Sequence, residues 1–357
     1  MSRFWNENTR RLVPYTAGEQ PQNMEFIKLN TNENPYPPSP LVIKRIKEYN
    51  PELLRLYPNS EGAFIKKAVS EFYNIPQESV FAGNGSDEIL ALLFKTFFDS
   101  GTKIGFPDVT YSFYPVYCAL YEIPYIQVPV KDDFSIDFAD YPEDLKGIVF
   151  ANPNAPTGLY LEPAVIEELV KSRPNTLIVV DEAYIDFGGQ SCVPLTQRYD
   201  NLLIVQTLSK SRALAGQRIG LAIGCRELLD GLVKVKDSFN SYPLDAIAQI
   251  AGQAAFEDRE YFDITRKKII NTRERIKQRL VEMGAEVTDT KTNFLFVRIP
   301  GTPGPEAQKK LRDNGVLVRN FNGGRISDWL RITVGTDEDM DRVADIIKRI
   351  MEESAAV

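Results

Sequence analysis

The 357-residue chain is 43% hydrophobic and 25% charged, with a net charge of −7, the balance of a globular protein of about two domains. That charge gives no reason to expect nucleic acid or an anionic membrane as a partner, and no apolar run is long enough to cross a bilayer. There are no histidines, which removes Ser-His-Asp and Cys-His catalysis and histidine-ligated zinc; proton transfer near neutral pH is left to a tuned Lys, a carboxylate, Tyr, Cys or a cofactor. Cys118, Cys192 and Cys225 are odd in number and widely spaced, and they read as reduced thiols of a cytoplasmic protein. The polar start Met1-Ser2-Arg3-Phe4-Trp5-Asn6 does not read as a signal peptide.

In chain order, residues 1–40 read as an arm. They are irregular and polar, and they end in Asn32-Glu33-Asn34-Pro35-Tyr36-Pro37-Pro38-Ser39-Pro40, too rich in proline for a helix or a central strand. A helix is expected at Leu41–Glu48, and another at Glu61–Tyr73 with Ser60 as its N-cap. Short apolar runs then alternate with helical patterns. Strands are expected at Val80–Ala82, Lys103–Phe106, Tyr125–Pro129, Gly147–Ala151, Thr176–Asp181, Leu202–Gln206 and Ile219–Ile223, and helices at Ser86–Phe98, Ser112–Leu120 and Pro163–Lys171. The runs Leu177–Val180 and Leu202–Val205 do not alternate, as strands buried on both faces should not. Residues 41–240 therefore read as a large α/β domain with a mostly parallel sheet.

The character then changes. Helices are expected at Arg226–Val235, Asp245–Phe256, Glu260–Met283, Pro305–Asn314 and Asp337–Met351, with strands at Phe294–Arg298, Val316–Arg319 and Trp329–Thr333. Residues 241–357 read as a smaller α+β domain.

Several candidate groups follow predicted strands. Lys210 comes after Leu202–Val205, within Thr207-Leu208-Ser209-Lys210-Ser211, and Arg218 lies just past Gly216. A partly shielded amine beside a hydroxyl and a fixed cation suits Schiff-base chemistry next to a bound phosphate. Alone, a Ser-Lys pair after a strand reads as a surface lysine. Ala82-Gly83-Asn84-Gly85-Ser86-Asp87-Glu88 offers backbone amides at a helix start, although Glu88 breaks GxGxxG, and a plain turn capped by Ser86 accounts for it equally well. Asp181 ends a strand and could hold a pyridinium nitrogen, or simply cap a helix. Tyr111 could stack on an aromatic ligand or pack in the core, and Asn152–Gly158 could be only a turn. Their joint placement changes this. One sheet edge would gather an amine, a ring-nitrogen carboxylate, a stacking ring, phosphate donors and an arginine, the parts of a pyridoxal 5'-phosphate site.

In order, Gly85-Ser86-Asp87, Tyr111, Asn154 to Gly158, Asp181-Glu182-Ala183-Tyr184 and Ser209-Lys210 to Arg218 resemble the signature series of fold-type I pyridoxal-phosphate aminotransferases. Leu29-Asn30-Thr31-Asn32-Glu33-Asn34-Pro35, Tyr57-Pro58, Ser241-Tyr242-Pro243-Leu244 and Leu330-Arg331-Ile332-Thr333 narrow the resemblance to the histidinol-phosphate aminotransferase family. The resemblance implies a large domain with a mostly parallel seven-stranded sheet and a smaller C-terminal domain. It makes Lys210 the Schiff-base partner and proton shuttle, pairs Asp181 with the ring nitrogen, and puts Tyr184 at the ring hydroxyl and Tyr111 on the ring face. Gly85, Ser86, Ser209 and Arg218 hold the cofactor phosphate, joined by Tyr57 across a homodimer interface, and Asp87 is a further cofactor-binding residue. Arg331, Arg319, Tyr15 and Asn32 meet the substrates, histidinol phosphate and glutamate or 2-oxoglutarate. Many relatives have asparagine directly before Pro-Thr-Gly; here that residue is Ala155, and its role passes to Asn154. An aromatic or broad-specificity aminotransferase and a phosphothreonine decarboxylase-like lyase share the same cofactor set. A non-catalytic regulator would need a DNA-binding domain for which this chain has no room.

Overall fold

A computed structural model describes residues 2–16, 18–20, 26–321 and 323–355. A seven-stranded sheet runs in the spatial order Val80–Gly83, Gly220–Ile223, Leu202–Thr207, Leu177–Asp181, Gly147–Ala151, Ile104–Pro107, Tyr125–Val128. Gly220–Ile223 is antiparallel to both of its neighbours, and the remaining pairs are parallel. The non-alternating runs are explained by what lies on each face. Ile178, Val180, Leu202 and Ile204 join one apolar cluster, while Val179, Leu203 and Val205 join the cluster opposite. Each such side chain contributes about 1.5–3 kcal/mol by leaving water on both faces of the sheet.

A second, antiparallel sheet orders Arg319–Asn320, Trp329–Thr333, Phe294–Arg298 and Glu286–Val287. It packs with the helices Arg259–Glu282, Gly304–Asp313 and Asp337–Ala355 around its own apolar cluster. The helix Ala246–Glu257, capped by Asp245, lies C-terminal to residue 240 but packs with Pro40–Glu48 and Ala63–Tyr73. Its Ala248, Ala251, Ala254 and Phe256 belong to a core of the large sheet.

Two expectations change. The helix after Ser60 begins at Ala63, because the Asn59 side chain accepts from the Glu61 and Ala63 amides and Gly62 turns left-handed at φ +64. The expected strand Val316–Arg319 is two pieces: Val316–Leu317 pairs in parallel with Ile27–Lys28, and Arg319–Asn320 pairs with Trp329–Thr333. The arm is thus stitched to the C-terminal region by backbone hydrogen bonds (Ile27 N to Gly315 O, Leu29 N to Leu317 O). A pairing between chain ends leaves no local periodicity for a sequence pattern to reveal.

Candidate active site

The carboxyl ends of the parallel strands open onto one cavity of about 520 Å³. Asn30–Glu33 of the arm, with Arg319 and Arg331 of the smaller sheet, closes its other side. The cavity gathers twelve of the residues expected at the site: Ser86, Asp87, Tyr111, Asp181, Tyr184, Ser209, Lys210 and Arg218 on the sheet side, and Tyr15, Asn32, Arg319 and Arg331 on the other.

The sheet side is built by strand ends. Asp181 terminates its strand with 4% exposure; the Tyr114 hydroxyl donates to it at 3.2 Å and the Ala183 amide at 3.1 Å. Burial raises its pKa to about 6, against the pull of those donors and of the Lys210 charge. Asp87 accepts from the Tyr111 hydroxyl at 3.0 Å and pairs with the Arg218 guanidinium at 3.2 Å. Burial, reinforced by that carboxylate, pushes the Tyr111 phenol well above its ordinary range and keeps it a donor. Gly85 holds φ +83, and a Cβ there would lie 2.6 Å from Arg218 Nη2; glycine is what lets the guanidinium lie against the helix start at Gly85–Phe97. That start presents free backbone amides and the positive end of a helix dipole.

Lys210 is partly buried. Its Nζ donates to the Thr31 carbonyl at 3.1 Å and lies 5.9 Å from the centre of the Tyr184 ring. The Tyr184 hydroxyl accepts from Asn32 Nδ2 at 2.9 Å, and Asn34 Nδ2 donates to the Lys210 carbonyl at 3.0 Å. On the substrate side Arg331 Nη2 donates to the Asn30 carbonyl at 3.1 Å, while its Nε is buried with no hydrogen-bond partner among the described residues. Burial lowers the Arg331 pKa, but arginine starts high enough to stay charged. Arg319 Nη2 reaches the Thr16 carbonyl at 3.3 Å, and Tyr15 stacks on Phe113 with ring centroids 4.8 Å apart.

Three expected residues do not line the cavity. Gly85 lies behind Ser86. Asn154 spends both amide hydrogens on the Val109 carbonyl at 2.9 Å and the Thr157 hydroxyl at 3.0 Å, and its oxygen accepts from the Thr110 hydroxyl at 3.0 Å. It ties two loops together with its amide and oxygen already partnered within the chain, while Ala155 and Tyr184 face the cavity. Tyr57 is 82% exposed and stacks on Tyr242. The sequence reading missed Tyr114, which opens the helix Tyr114–Tyr121 three residues after Tyr111, and it missed Thr31 and Asn34, which hold the lysine from within the Leu29–Pro35 motif.

Residues 24–347 match the profile of the family described as aminotransferase class I and II. The chain belongs to this family. It is 49% identical over 348 residues, 98% of each chain, to a histidinol-phosphate aminotransferase of Lactococcus lactis subsp. cremoris. It is equally identical over 353 residues to histidinol-phosphate aminotransferase 1 of Bordetella parapertussis, covering 98% of this chain and 99% of that one. Its fold matches the Sinorhizobium meliloti histidinol-phosphate aminotransferase in complex with pyridoxal-5'-phosphate, at a TM-score of 0.88 and 21% identity over 99% of each chain. Aminotransferases of this family depend on pyridoxal phosphate. The donor set fits that group: a buried carboxylate, an aromatic face, and the Arg218 guanidinium lying against a helix start, where a Cβ at Gly85 would displace it.

Proposed function

We propose that this chain catalyses reversible amino transfer between L-histidinol phosphate and 2-oxoglutarate, by a ping-pong route, as a cytoplasmic homodimer. The observation that carries the reading is Arg331, whose buried Nε lacks a partner among the described residues at the mouth of a pyridoxal-phosphate-type site. An unpaired buried guanidinium N–H costs about 1–3 kcal/mol, and an anionic substrate group removes that cost. The full-length relatives at 49% identity, both named for histidinol phosphate, supply the substrate.

Pyridoxal phosphate, when bound, supplies an electron-withdrawing ring that stabilises charge left on the substrate carbon. Asp181 holds the ring nitrogen protonated, and Tyr114 fixes the direction of that carboxylate. Tyr111 covers one ring face. Ser86, Ser209, Arg218 and the amides at Gly85 bind the phosphate, with Asp87 orienting Arg218. Tyr184, aligned by Asn32, meets the ring hydroxyl. Lys210 Nζ takes the proton from the carbon bearing the amino group, and the Thr31 carbonyl holds the amine between transfers. Arg331, with Arg319 and Tyr15, grips the phosphate of histidinol phosphate in one half-reaction and a glutamate carboxylate in the other; a guanidinium fork suits both anions. Tyr57, exposed and absent from its own cavity, reaches the phosphate in the second subunit. No helix among the described residues is long and apolar enough to cross a membrane.

The cofactor spectrum tests this reading. Histidinol phosphate and glutamate, added separately to the holoenzyme, are expected to convert it to the pyridoxamine form. Conversion by phenylalanine but not by histidinol phosphate would assign it to aromatic substrates, and release of carbon dioxide from phosphothreonine would make it a lyase.

A further inference from the structure

Lys236 is a buried cation for which the reaction described above has no use. It sits near the end of the helix Arg226–Asp237 with 4% exposure. Its Nζ donates to the Ser60 carbonyl at 3.1 Å and the Ser241 carbonyl at 3.5 Å, and it pairs with Asp237 at 2.8 Å. Burying an ammonium is costly, and three acceptors match its three N–H groups. Two of those acceptors belong to segments that are distant in sequence. One carries Tyr57, the other Tyr242, and those rings stack with centroids 4.7 Å apart at 25°.

A second side chain makes the same tie. Gln249, 2% exposed, donates through Nε2 to the Asn59 carbonyl at 2.8 Å and the Leu244 carbonyl at 3.2 Å. Two buried polar side chains, from two helices, thus staple the Tyr57 and Tyr242 segments together. The object they hold is outward-facing: Tyr57 is 82% exposed and Tyr242 45%, beside Leu54 at 59% and Leu56 at 51%. A rigid anchor beneath an exposed aromatic pair is what a contact outside the chain requires, because ordering a mobile tyrosine on contact costs affinity.

We propose that Lys236, seconded by Gln249, is a positioning residue for the cofactor site of the opposite subunit: it fixes the Tyr57–Tyr242 pair in the pose that a second copy of this chain receives. The inference rests on the homodimer reading above. A route within the subunit also exists, since the Lys236 charge reaches Glu88, whose carboxylate accepts from the Asn84 amide in the phosphate turn. The two routes differ in which subunit feels the substitution.

Mixed dimers separate them. In the first, one subunit is wild type and the other carries Lys210→Ala together with Lys236→Met, so the lone lysine-bearing site receives Tyr57 from the altered chain. In the second, Lys210→Ala and Lys236→Met are on different subunits, so that site receives Tyr57 from a chain with Lys236 intact. The readout is the cofactor dissociation constant, taken from the absorbance of lysine-linked pyridoxal phosphate, which only the Lys210-bearing site gives. We expect about a tenfold weakening in the first dimer, the loss of one charge-assisted contact, and a change of less than about twofold in the second. Gln249→Met, in the same two arrangements, is expected to act in the same direction and serves if Lys236→Met does not fold. Weakening confined to the second dimer, or equal in both, overturns the proposal. Tyr57→Phe is run alongside. If it weakens only the first dimer while Lys236→Met and Gln249→Met do not, the positioning role alone fails; if Tyr57→Phe has no effect across the interface, the homodimer reading fails with it.

Discussion

The two sides of the cavity are finished to different degrees. On the sheet side, polar groups find partners within the chain: Asp181 with Tyr114 and Ala183, and Asp87 with both Tyr111 and Arg218. On the arm side, Arg331 Nε and Asn30 Oδ1 are buried without partners among the described residues. The sheet side is the prebuilt seat of a group that stays, held by strand ends that cannot move without breaking the sheet. The arm side is left incomplete for a group that comes and goes, and the unpaired Arg331 N–H becomes binding energy when an anion arrives, whereas the Asn30 oxygen can pair only with a donor.

Breaking the sheet side at its reactive group should have the largest effect. Lys210→Ala is expected to lower transamination by about a thousandfold or more, because base and covalent partner go together. Single-turnover rates with histidinol phosphate check it, and near-normal turnover would show that another residue moves the proton.

Asp181→Asn comes next, and it separates chemistry from stability. A carboxyl whose folded pKa is raised from 3.8 to about 6 favours the folded state most below the lower value, and that contribution is lost as pH rises through about 6. The cofactor-free Asn variant is therefore expected to be more stable than wild type at pH 8, by on the order of 2 kcal/mol, with the difference vanishing near pH 4. Its kcat should fall by about a hundredfold. Denaturant melts at the two pH values, beside steady-state rates, measure both. Equal stability at pH 8 would mean that Asp181 is not strained by burial.

The smallest effect is expected at Asn154. Asn154→Ala should cost about 1–3 kcal/mol of stability by leaving loop partners unpaired, yet leave the cofactor absorbance band in place. A shifted band would give Asn154 a contact with the ring.

How much of this was legible in the sequence follows from the range of the interactions. The buried parallel strands were readable because apolar runs such as Leu202–Val205 carry their two-faced burial in their own composition. Asp181, Lys210 and Tyr111 were readable because a parallel sheet delivers all its carboxyl ends to one edge. The motif Asp181-Glu182-Ala183-Tyr184, however, divides in space. Glu182 turns into the core, accepting from the Ser191 hydroxyl, the Cys192 amide and the Gln206 amide, while its neighbours face the cavity. The pairing of Ile27–Lys28 with Val316–Leu317 and the hold of Thr31 and Asn34 on Lys210 join residues far apart in the chain, and no local pattern encodes them. Asn154 makes a related point: its neighbours announce an amide at the right strand end, but only the fold shows which way that amide turns.

The difference between the two sides can be measured in one variant, Arg331→Met, by titrating its cofactor and recording kcat/KM for histidinol phosphate and for glutamate. A prebuilt seat with an incomplete rim predicts cofactor affinity within about twofold of wild type and a fall of about a hundredfold in kcat/KM for both substrates. Cofactor affinity that falls as far as kcat/KM, or substrate kinetics left unchanged, would contradict it.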